Sequence, residues 1–210
     1  MRITKYKHAC FTLEIDEQVL VVDPGGFTTD FVVPNGVVAI VVTHEHGDHF
    51  DPEMLAKIYD KNPDAMFVSL PEITDKMSNH KYQAVMPGDK ITVGLFNLEF
   101  FGGKHAVIHP SIPTIDNIGV MVNNSLYYPG DSFDMPGRSV RVLALPVGAP
   151  WLKISEAMDF LTALKPELVF PTHDAVLSDI GKQLADGRLS TTANEYGGKY
   201  QRIATTPINI

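Results

Sequence analysis

Four candidate metal ligands, His44, His46, Asp48 and His49, lie within the six residues His44-Glu45-His46-Gly47-Asp48-His49. Three of them are imidazoles and one is a carboxylate, and Gly47 supplies the backbone freedom that so tight a cluster needs. The cluster directly follows the apolar run Ala39 to Val42, so a buried strand would deliver it to a loop at the strand's carboxyl end. Imidazole and carboxylate ligands suit zinc, and also manganese or iron. The segment therefore predicts a metal centre rather than a surface loop that happens to be rich in histidine.

Short apolar and β-branched runs predict the strands that must position this cluster. The runs are Cys10 to Ile15, Val19 to Val22, Val37 to Val42, Met66 to Leu70, Ile91 to Phe101, Ile118 to Tyr128, Val140 to Val147, Leu168 to Phe170 and Tyr200 to Ala204. Asn123-Asn124-Ser125 is expected to form a hairpin turn, because asparagine tolerates the left-handed backbone that such turns require.

Three segments are predicted to be helical. Pro52 to Asp60 has apolar residues on one face, with Asp51 as the N-cap and proline at the first helical position. Ser155 to Lys165 is strongly amphipathic. A third helix is expected from Ala175 to about Leu184. Because the strands fall into two groups that are each followed by helices, two sheets packed face to face with helices outside are expected.

Composition narrows the class of function. The chain has 210 residues, 44% of them hydrophobic, which suffices for a core within one domain. A net charge of -8 disfavours nucleic acid and anionic membranes as partners and favours a small-molecule substrate. Cys10 is the only cysteine, so no internal disulfide can form, and residues 1–20 lack the apolar run of a signal peptide. A cytoplasmic location is therefore expected.

The pattern His-x-His-x-Asp-His resembles that of the metallo-β-lactamase superfamily of hydrolases. Three further residues match the family in the same order, each after an apolar run: His105 after Gly102-Gly103-Lys104, Asp131 in Tyr128-Pro129-Gly130-Asp131-Ser132, and His173 in Phe170-Pro171-Thr172-His173. Val21-Val22-Asp23-Pro24-Gly25 also resembles the family, in which this aspartate supports a ligand histidine. The resemblance spans nearly the whole chain and implies one α+β domain over residues 1–210, a four-layer αββα sandwich.

The resemblance also implies the ligand set. One divalent metal would be held by His44, His46 and His105, a second by Asp48, His49 and His173, and Asp131 would bridge them. Zinc is the expected metal, with manganese or iron as alternatives. A metal-bound hydroxide would then be the nucleophile, with Asp48 and Asp131 as the catalytic carboxylates and Asp48 or a water handling the proton.

Four other residues are candidate substrate contacts, namely His8, His109, Trp151 and Lys153. His8 is open to a structural role or to supporting a ligand, and His109 competes with His105 for the role of third histidine. Lys153 is open to binding an anionic group or to an exposed position at the start of a helix. The segments 105–110, 129–132 and 146–153 resemble small bacterial hydrolases related to the ascorbate-6-phosphate lactonase branch.

These observations favour a dinuclear metal-dependent hydrolase of a small anionic ester, lactone, amide or phosphoester. Aspartate rather than cysteine at position 131 argues against an antibiotic-cleaving β-lactamase. Two alternatives stay open: a nucleotide phosphodiesterase or nuclease, and a protein that binds a metal or ligand without catalysis. The oligomeric state is not indicated by the sequence.

Overall fold

The computed structural model describes residues 1–210, and the first of its two sheets is formed by the amino-terminal part of the chain together with the last strand. Its strands are β1 (Arg2–Lys5), β2 (Phe11–Ile15), β3 (Gln18–Val22), β4 (Val37–Val41), β5 (Met66–Ser69), β6 (Tyr82–Ala84) and β14 (Ile208–Asn209). They lie in the order β14-β1-β2-β3-β4-β5-β6. Pairing is antiparallel from β14 to β3 and parallel from β3 to β6.

The second sheet is also seven-stranded and mixed. Its strands are β7 (Lys90–Val93), β8 (Phe96–Lys104), β9 (Asp116–Val122), β10 (Leu126–Tyr128), β11 (Val142–Pro146), β12 (Leu168–Thr172) and β13 (Lys199–Tyr200), in the order β13-β12-β11-β10-β9-β8-β7. Strands β7 to β10 pair antiparallel as hairpins, and β10 to β13 pair parallel.

Four helices complete the fold: α1 (Pro52–Lys61), α2 (Pro71–Thr74), α3 (Ile154–Leu164) and α4 (Asp179–Glu195). Leu55, Ile58 and Tyr59 of α1 are buried in the larger of two hydrophobic cores, which also contains Val120 and Val122 of β9. The residue between those two, Met121, points to the other face, where it packs in a second core with α3 and α4. The sequence prediction of two sheets flanked by helices is confirmed.

The structure confirms several local predictions. Helix α1 has Asp51 as its N-cap, whose carboxylate accepts a hydrogen bond from the Glu53 amide at 2.9 Å. Helix α3 occupies the predicted segment. Asn123 and Asn124 form the predicted hairpin turn, and both have positive φ angles, 49° and 51°.

The third helix was predicted too early in the chain. The Ser178 hydroxyl accepts a hydrogen bond from the Gly181 amide, so that helix α4 begins only after Ser178. It continues well past Leu184 because Ala185, Leu189 and Ala193 pack in the core beneath it. At 17 residues it is the longest helix, and no helix combines the length and apolar character needed to cross a bilayer.

The run from Ile91 to Phe101 forms a pair of strands, as predicted, because Gly94 has a φ of 56° and turns the chain between β7 and β8. One strand prediction needs correction. The predicted last strand, Tyr200 to Ala204, is only Lys199–Tyr200. Beyond it the chain crosses to the first sheet, where the Ala204 carbonyl accepts a hydrogen bond from the Lys5 amide.

Candidate metal centre

The predicted ligands meet because the strands that carry them run in the same direction. In the first sheet β3 and β4 are parallel, and the segment His44–His49 follows β4. In the second sheet β8, β10 and β12 share one direction, and His105, Asp131 and His173 follow their ends. Carboxyl ends of strands with a common direction lie at one edge of a sheet. The two edges face each other, and the seven side chains come together there.

Three of the histidines form one half of the centre. His44, His46 and His105 each offer a ring nitrogen within 4.8 Å of the other two. Their ring centroids lie 4.7 to 5.0 Å apart. His44 and His105 are buried, whereas His46 is half-buried at the open side of the site. This is a group of three imidazoles that could hold one ion.

The other half of the centre contains Asp48, His49 and His173. The Oδ2 atom of Asp48 lies 3.2 Å from Nε2 of His173 and 3.7 Å from Nε2 of His49. His8 belongs to the same cluster. The side chain of Asp48 keeps 19% of its surface exposed, while the two ligand histidines are buried. A second ion could be held here.

Asp131 lies between the two halves. Its Oδ1 atom is 3.3 Å from Nε2 of His49, and its Oδ2 atom is 3.4 Å from Nε2 of His105 and 2.9 Å from Nε2 of His173. Asp131 thus contacts histidines of both halves. A carboxylate that bridges two metal ions would have to lie in this position.

The donor atoms at the centre are buried and lack hydrogen-bond partners. They are Nε2 of His44, His49, His105 and His173, and Oδ1 of Asp131. Buried polar atoms are nearly always paired in folded proteins, so several unpaired atoms aimed at one point need an explanation. Divalent cations in the two halves would satisfy all of them, and nitrogen and oxygen donors are what zinc, manganese or iron bind.

The outward nitrogens of the same histidines are all engaged. Nδ1 of His105 donates to the Ala106 carbonyl at 2.5 Å, and Nδ1 of His173 donates to the Gly148 carbonyl at 2.6 Å. A carbonyl can only accept, so the proton of each neutral ring is on Nδ1 and the lone pair is on the inward Nε2. Histidines that bind metals are held in this way. The tautomers therefore suit the predicted ligand role.

The Asp23 carboxylate holds the loop of predicted ligands, His44–His49, in place through hydrogen bonds. This buried carboxylate accepts hydrogen bonds from the Thr43 amide (2.8 Å) and hydroxyl (2.7 Å), from Nδ1 of His49 (2.7 Å) and from the Tyr128 hydroxyl (2.9 Å). Because the Thr43 hydroxyl donates to Asp23, it accepts from Nδ1 of His44, which is 3.1 Å away. One carboxylate thus orients a ligand from each half of the centre.

Three of the eight non-glycine residues with positive φ angles lie at this edge. His8, Asp23 and His173 have positive φ angles of 61°, 45° and 56°. Residues other than glycine adopt this conformation only where surrounding contacts impose it, and such positions are common at functional sites. Gly25 serves a different need, because a Cβ atom there would lie 1.9 Å from the Asp48 carbonyl oxygen. The absence of a side chain lets the ligand loop pack against the turn after β3.

Burial and the neighbouring charges shift the pKa values of the clustered side chains in opposing directions. Burial acts to raise the pKa of Asp131, but the neighbouring His49 and His173 lower it well below its usual range. Burial acts to lower the pKa of His173, but Asp131 and Asp48 raise it to about 9. For His44, burial and the nearby His49 both lower the pKa. Carboxylates are therefore ionised here, as ligands must be.

The four candidate substrate contacts have different positions. His8 is fully buried and hydrogen-bonds Asp48. Trp151 is half-buried and donates from its indole nitrogen to Oδ2 of Asp131 at 3.1 Å. His109 is exposed and is not part of the cluster, and its ring hydrogen-bonds only to Ser111. Lys153 is exposed at the N-cap position of α3.

Sequence reasoning missed the residues that hold Asp131. The buried Asn117 accepts a hydrogen bond from the Asp131 amide at 3.0 Å and donates to the Pro129 carbonyl at 2.9 Å. Gly130 has a φ of 65°, and a Cβ atom there would lie 2.2 Å from the Asn117 side chain. The Pro-Gly-Asp sequence indicates a tight turn, but nothing in the sequence around Asn117 indicates this contact.

Comparison with known proteins places this geometry in context. Residues 2–173 match the model of a family described as the beta-lactamase superfamily domain. The chain is 37% identical to protein Rv0786c of Mycobacterium tuberculosis over 195 residues, which cover 90% of this chain and 92% of that protein. It is 28% identical to the UPF0173 metal-dependent hydrolase MJ1163 of Methanocaldococcus jannaschii, with 81% and 83% covered. The structure of Igni18, a metallo hydrolase of Ignicoccus hospitalis, superposes with a TM-score of 0.73 at 17% identity, covering 100% of this chain and 98% of that one.

Proposed function

Since the chain belongs to the metallo-β-lactamase superfamily of metal-dependent hydrolases, we propose that it binds two divalent metal ions and hydrolyses a small ester, lactone, amide or phosphoester. The observation that carries this proposal is the set of buried, unpartnered ligand atoms that converge from both sheets. The contacts of Asp131 with histidines of both halves support two ions rather than one. Zinc is the proposed metal, with manganese or iron as alternatives.

Bound divalent cations would polarise the oxygen of the scissile bond and lower the pKa of water toward about 7. The positions of Asp131 and Asp48 would determine where the metal-bound water lies and where its proton goes. Asp131 is buried and hydrogen-bonded to Asn117 and Trp151, so its carboxylate is held in a fixed position. Asp48 has an exposed part of its side chain and so can pass a proton to solvent. Burial acts to raise the pKa of Asp48, but His173 and His8 lower it well below its usual range, so the proton would not stay there.

Aromatic side chains next to the cluster support a proposal about the character of the substrate. Trp151 packs edge-on against Phe133 on one side, with ring centroids 5.4 Å apart. On the other side the exposed Phe27 lies 5.1 Å from the ring of His8. Two divalent ions against Asp48 and Asp131 leave an excess of positive charge at the centre. We therefore propose a small substrate with an anionic or carbonyl group at the metals and an apolar part against the rim.

Metal analysis together with a substrate panel tests the proposal. About two equivalents of metal per chain are expected, together with turnover that a chelator removes and added metal restores. The variants His46→Ala and Asp131→Asn should lose both metal and turnover. His80→Ala is the matched control, because this histidine stacks on Tyr59 away from the cluster and should change neither. Full metal content and activity in His46→Ala would refute the proposal.

The same panel separates the remaining alternatives. It should contain a lactone, a carboxylic ester, a phosphomonoester and a phosphodiester, each assayed with and without metal. Turnover confined to the phosphodiester would favour the nucleotide phosphodiesterase hypothesis. Tight metal binding without turnover of any member would favour a binding protein. The acidic chain leads us to propose small molecules rather than nucleic acid as its partners.

A further inference from the structure

His8 has hydrogen bonds on both ring nitrogens. Nδ1 accepts from the Ala175 amide at 3.3 Å, and Nε2 lies 2.8 Å from Oδ2 of Asp48. Because a backbone amide can only donate, Nδ1 must carry the lone pair, and the proton of the neutral ring is then on Nε2. His8 therefore donates to Asp48.

This tautomer is opposite to that of the ligand histidines. In their neutral forms, His105 and His173 have the proton on the outward Nδ1 and the lone pair on the Nε2 that faces the centre. Nε2 of His8 is the nitrogen nearest the centre, but it carries the proton and cannot bind a metal in that form. Although His8 lies in the cluster with Asp48, His49 and His173, its hydrogen bonds exclude it as a ligand.

His8 is also unable to contact a substrate. Its side chain is completely buried, beneath Phe27 on one side and against the ring of His173 on the other, with centroids 5.1 and 4.0 Å away. The sequence-based expectation that His8 contacts substrate therefore finds no support in the structure.

The backbone of His8 has a second contact with the site. Its carbonyl accepts from the His173 amide at 3.0 Å and from the buried ammonium of Lys5 at 2.6 Å. These bonds account for the left-handed φ of 61° at a residue that is not glycine. One residue of the turn between β1 and β2 thus holds Asp48 through its ring and His173 through its backbone.

We propose that His8 is a positioning residue for the second metal, acting as an obligate hydrogen-bond donor to Asp48. The inference rests on the proposed function, since it presumes that Asp48 and His173 bind an ion. Removing such a partner of a ligand typically lowers metal affinity by about 10- to 100-fold. The loss should fall on only one of the two metal equivalents, because His8 has no contact with His44, His46 or His105.

Two substitutions separate the two side-chain hydrogen bonds. In His8→Gln the amide nitrogen can reach the position of Nε2 and still donate to Asp48. In His8→Asn the side-chain oxygen can take the place of Nδ1 and accept from Ala175, but no donor reaches Asp48. Asparagine also tolerates a positive φ better than glutamine does. The two variants should therefore rank in opposite order for folding stability and for metal affinity.

The test measures metal binding by chelator competition and stability by urea unfolding with chelator present. His8→Asn is expected to unfold at higher urea than His8→Gln, yet to bind one equivalent about 10- to 100-fold more weakly than the wild type. His8→Gln should bind both equivalents within a few-fold of the wild type. His8→Leu, which keeps bulk but no hydrogen bond, should resemble His8→Asn in metal binding.

Other outcomes would overturn the inference. If glutamine weakens binding as much as leucine does, His8 is itself a ligand. If asparagine and leucine bind both equivalents as the wild type does, the contact has no role in the metal site. Wild-type protein that binds two equivalents but has no turnover would refute the proposed function alone, whereas wild-type protein that binds none would refute both.

Discussion

Replacing Asp23 by asparagine should damage both the fold and the metal centre, and the structure allows the size of each effect to be worked out. Three donors converge on Oδ2 of Asp23, and the Thr43 amide points at Oδ1. An asparagine oxygen can replace only one of these atoms. Its best orientation keeps the oxygen at the Oδ2 position, which places the new NH2 group against the Thr43 amide.

That arrangement leaves a fully buried backbone amide without a partner, which costs about 1 to 3 kcal/mol of unfolding free energy. The backbone itself should not add to the cost, because asparagine tolerates a φ of 45°. The bond from Nδ1 of His49 also loses its charged acceptor and is weakened by about half. As His49 is a predicted ligand, metal affinity should fall by about 10- to 100-fold.

Tyr128→Phe is the matched control. It removes one donor from Asp23 without changing the charge or leaving the Thr43 amide unpaired, so about 0.5 to 1.5 kcal/mol is expected. Unfolding should be followed in urea with a chelator present, so that metal binding does not contribute to stability. Metal affinity is measured separately by chelator competition. The reasoning is refuted if Asp23→Asn has the stability and metal affinity of the wild type, or if Tyr128→Phe is the more damaging change.

Three further predictions concern protons and the indole. Metal uptake at pH 7 should release protons, because the pKa of His173 is raised to about 9 and its ring must lose a proton to bind a metal. Calorimetry in buffers of different ionisation enthalpy measures the number of protons released per metal bound, and a value of zero would contradict the prediction. Trp151 is the only tryptophan and donates to Asp131, so metal binding should change the intrinsic fluorescence, and Trp151→Phe should weaken binding several-fold in a chelator titration. Burial lowers the pKa of Lys5 to about 8. Between pH 8 and about 10.4, Lys5 is therefore protonated in the unfolded chain but mostly neutral in the folded one. The free energy of unfolding should rise with pH across that range because of this residue. Urea unfolding at several pH values should show that slope in the wild type but not in Lys5→Met.

The sequence was sufficient where the controlling physics is local. Asp51 and Pro52 mark the start of α1 because capping involves only neighbouring residues. Asn123 and Asn124 mark a turn because their own backbone preferences determine it. The ligand segment could be predicted for a related reason, since a buried strand followed by His44–His49 leaves the side chains only one edge on which to emerge.

Other features depend on contacts between distant residues and were missed or misplaced. Helix α4 continues to Glu195 because the core beneath it accepts Ala185 and Leu189, although the segment contains glycine and several poor helix formers. The exposed His109 and the buried His105 both follow the same strand. The sequence prediction named His105 as the ligand and His109 as a candidate substrate contact, and only His105 joins the cluster.

The hydrogen bonds that orient the predicted ligands also join the two sheets, which explains why the sequence indicated these ligands and Asp23 but not the partners Tyr128 and Asn117. The Ile118 amide donates to the Thr43 carbonyl, and the Tyr128 hydroxyl reaches Asp23 across 105 residues of sequence. A ligand is marked by its chemical type, but its partner can be any polar group that the opposite sheet brings within reach. The spacing between the two halves of the centre is therefore a property of how the sheets pack. Substitutions in these cross-sheet hydrogen bonds test that spacing more directly than removal of a ligand does, because they keep every donor atom and change only its position.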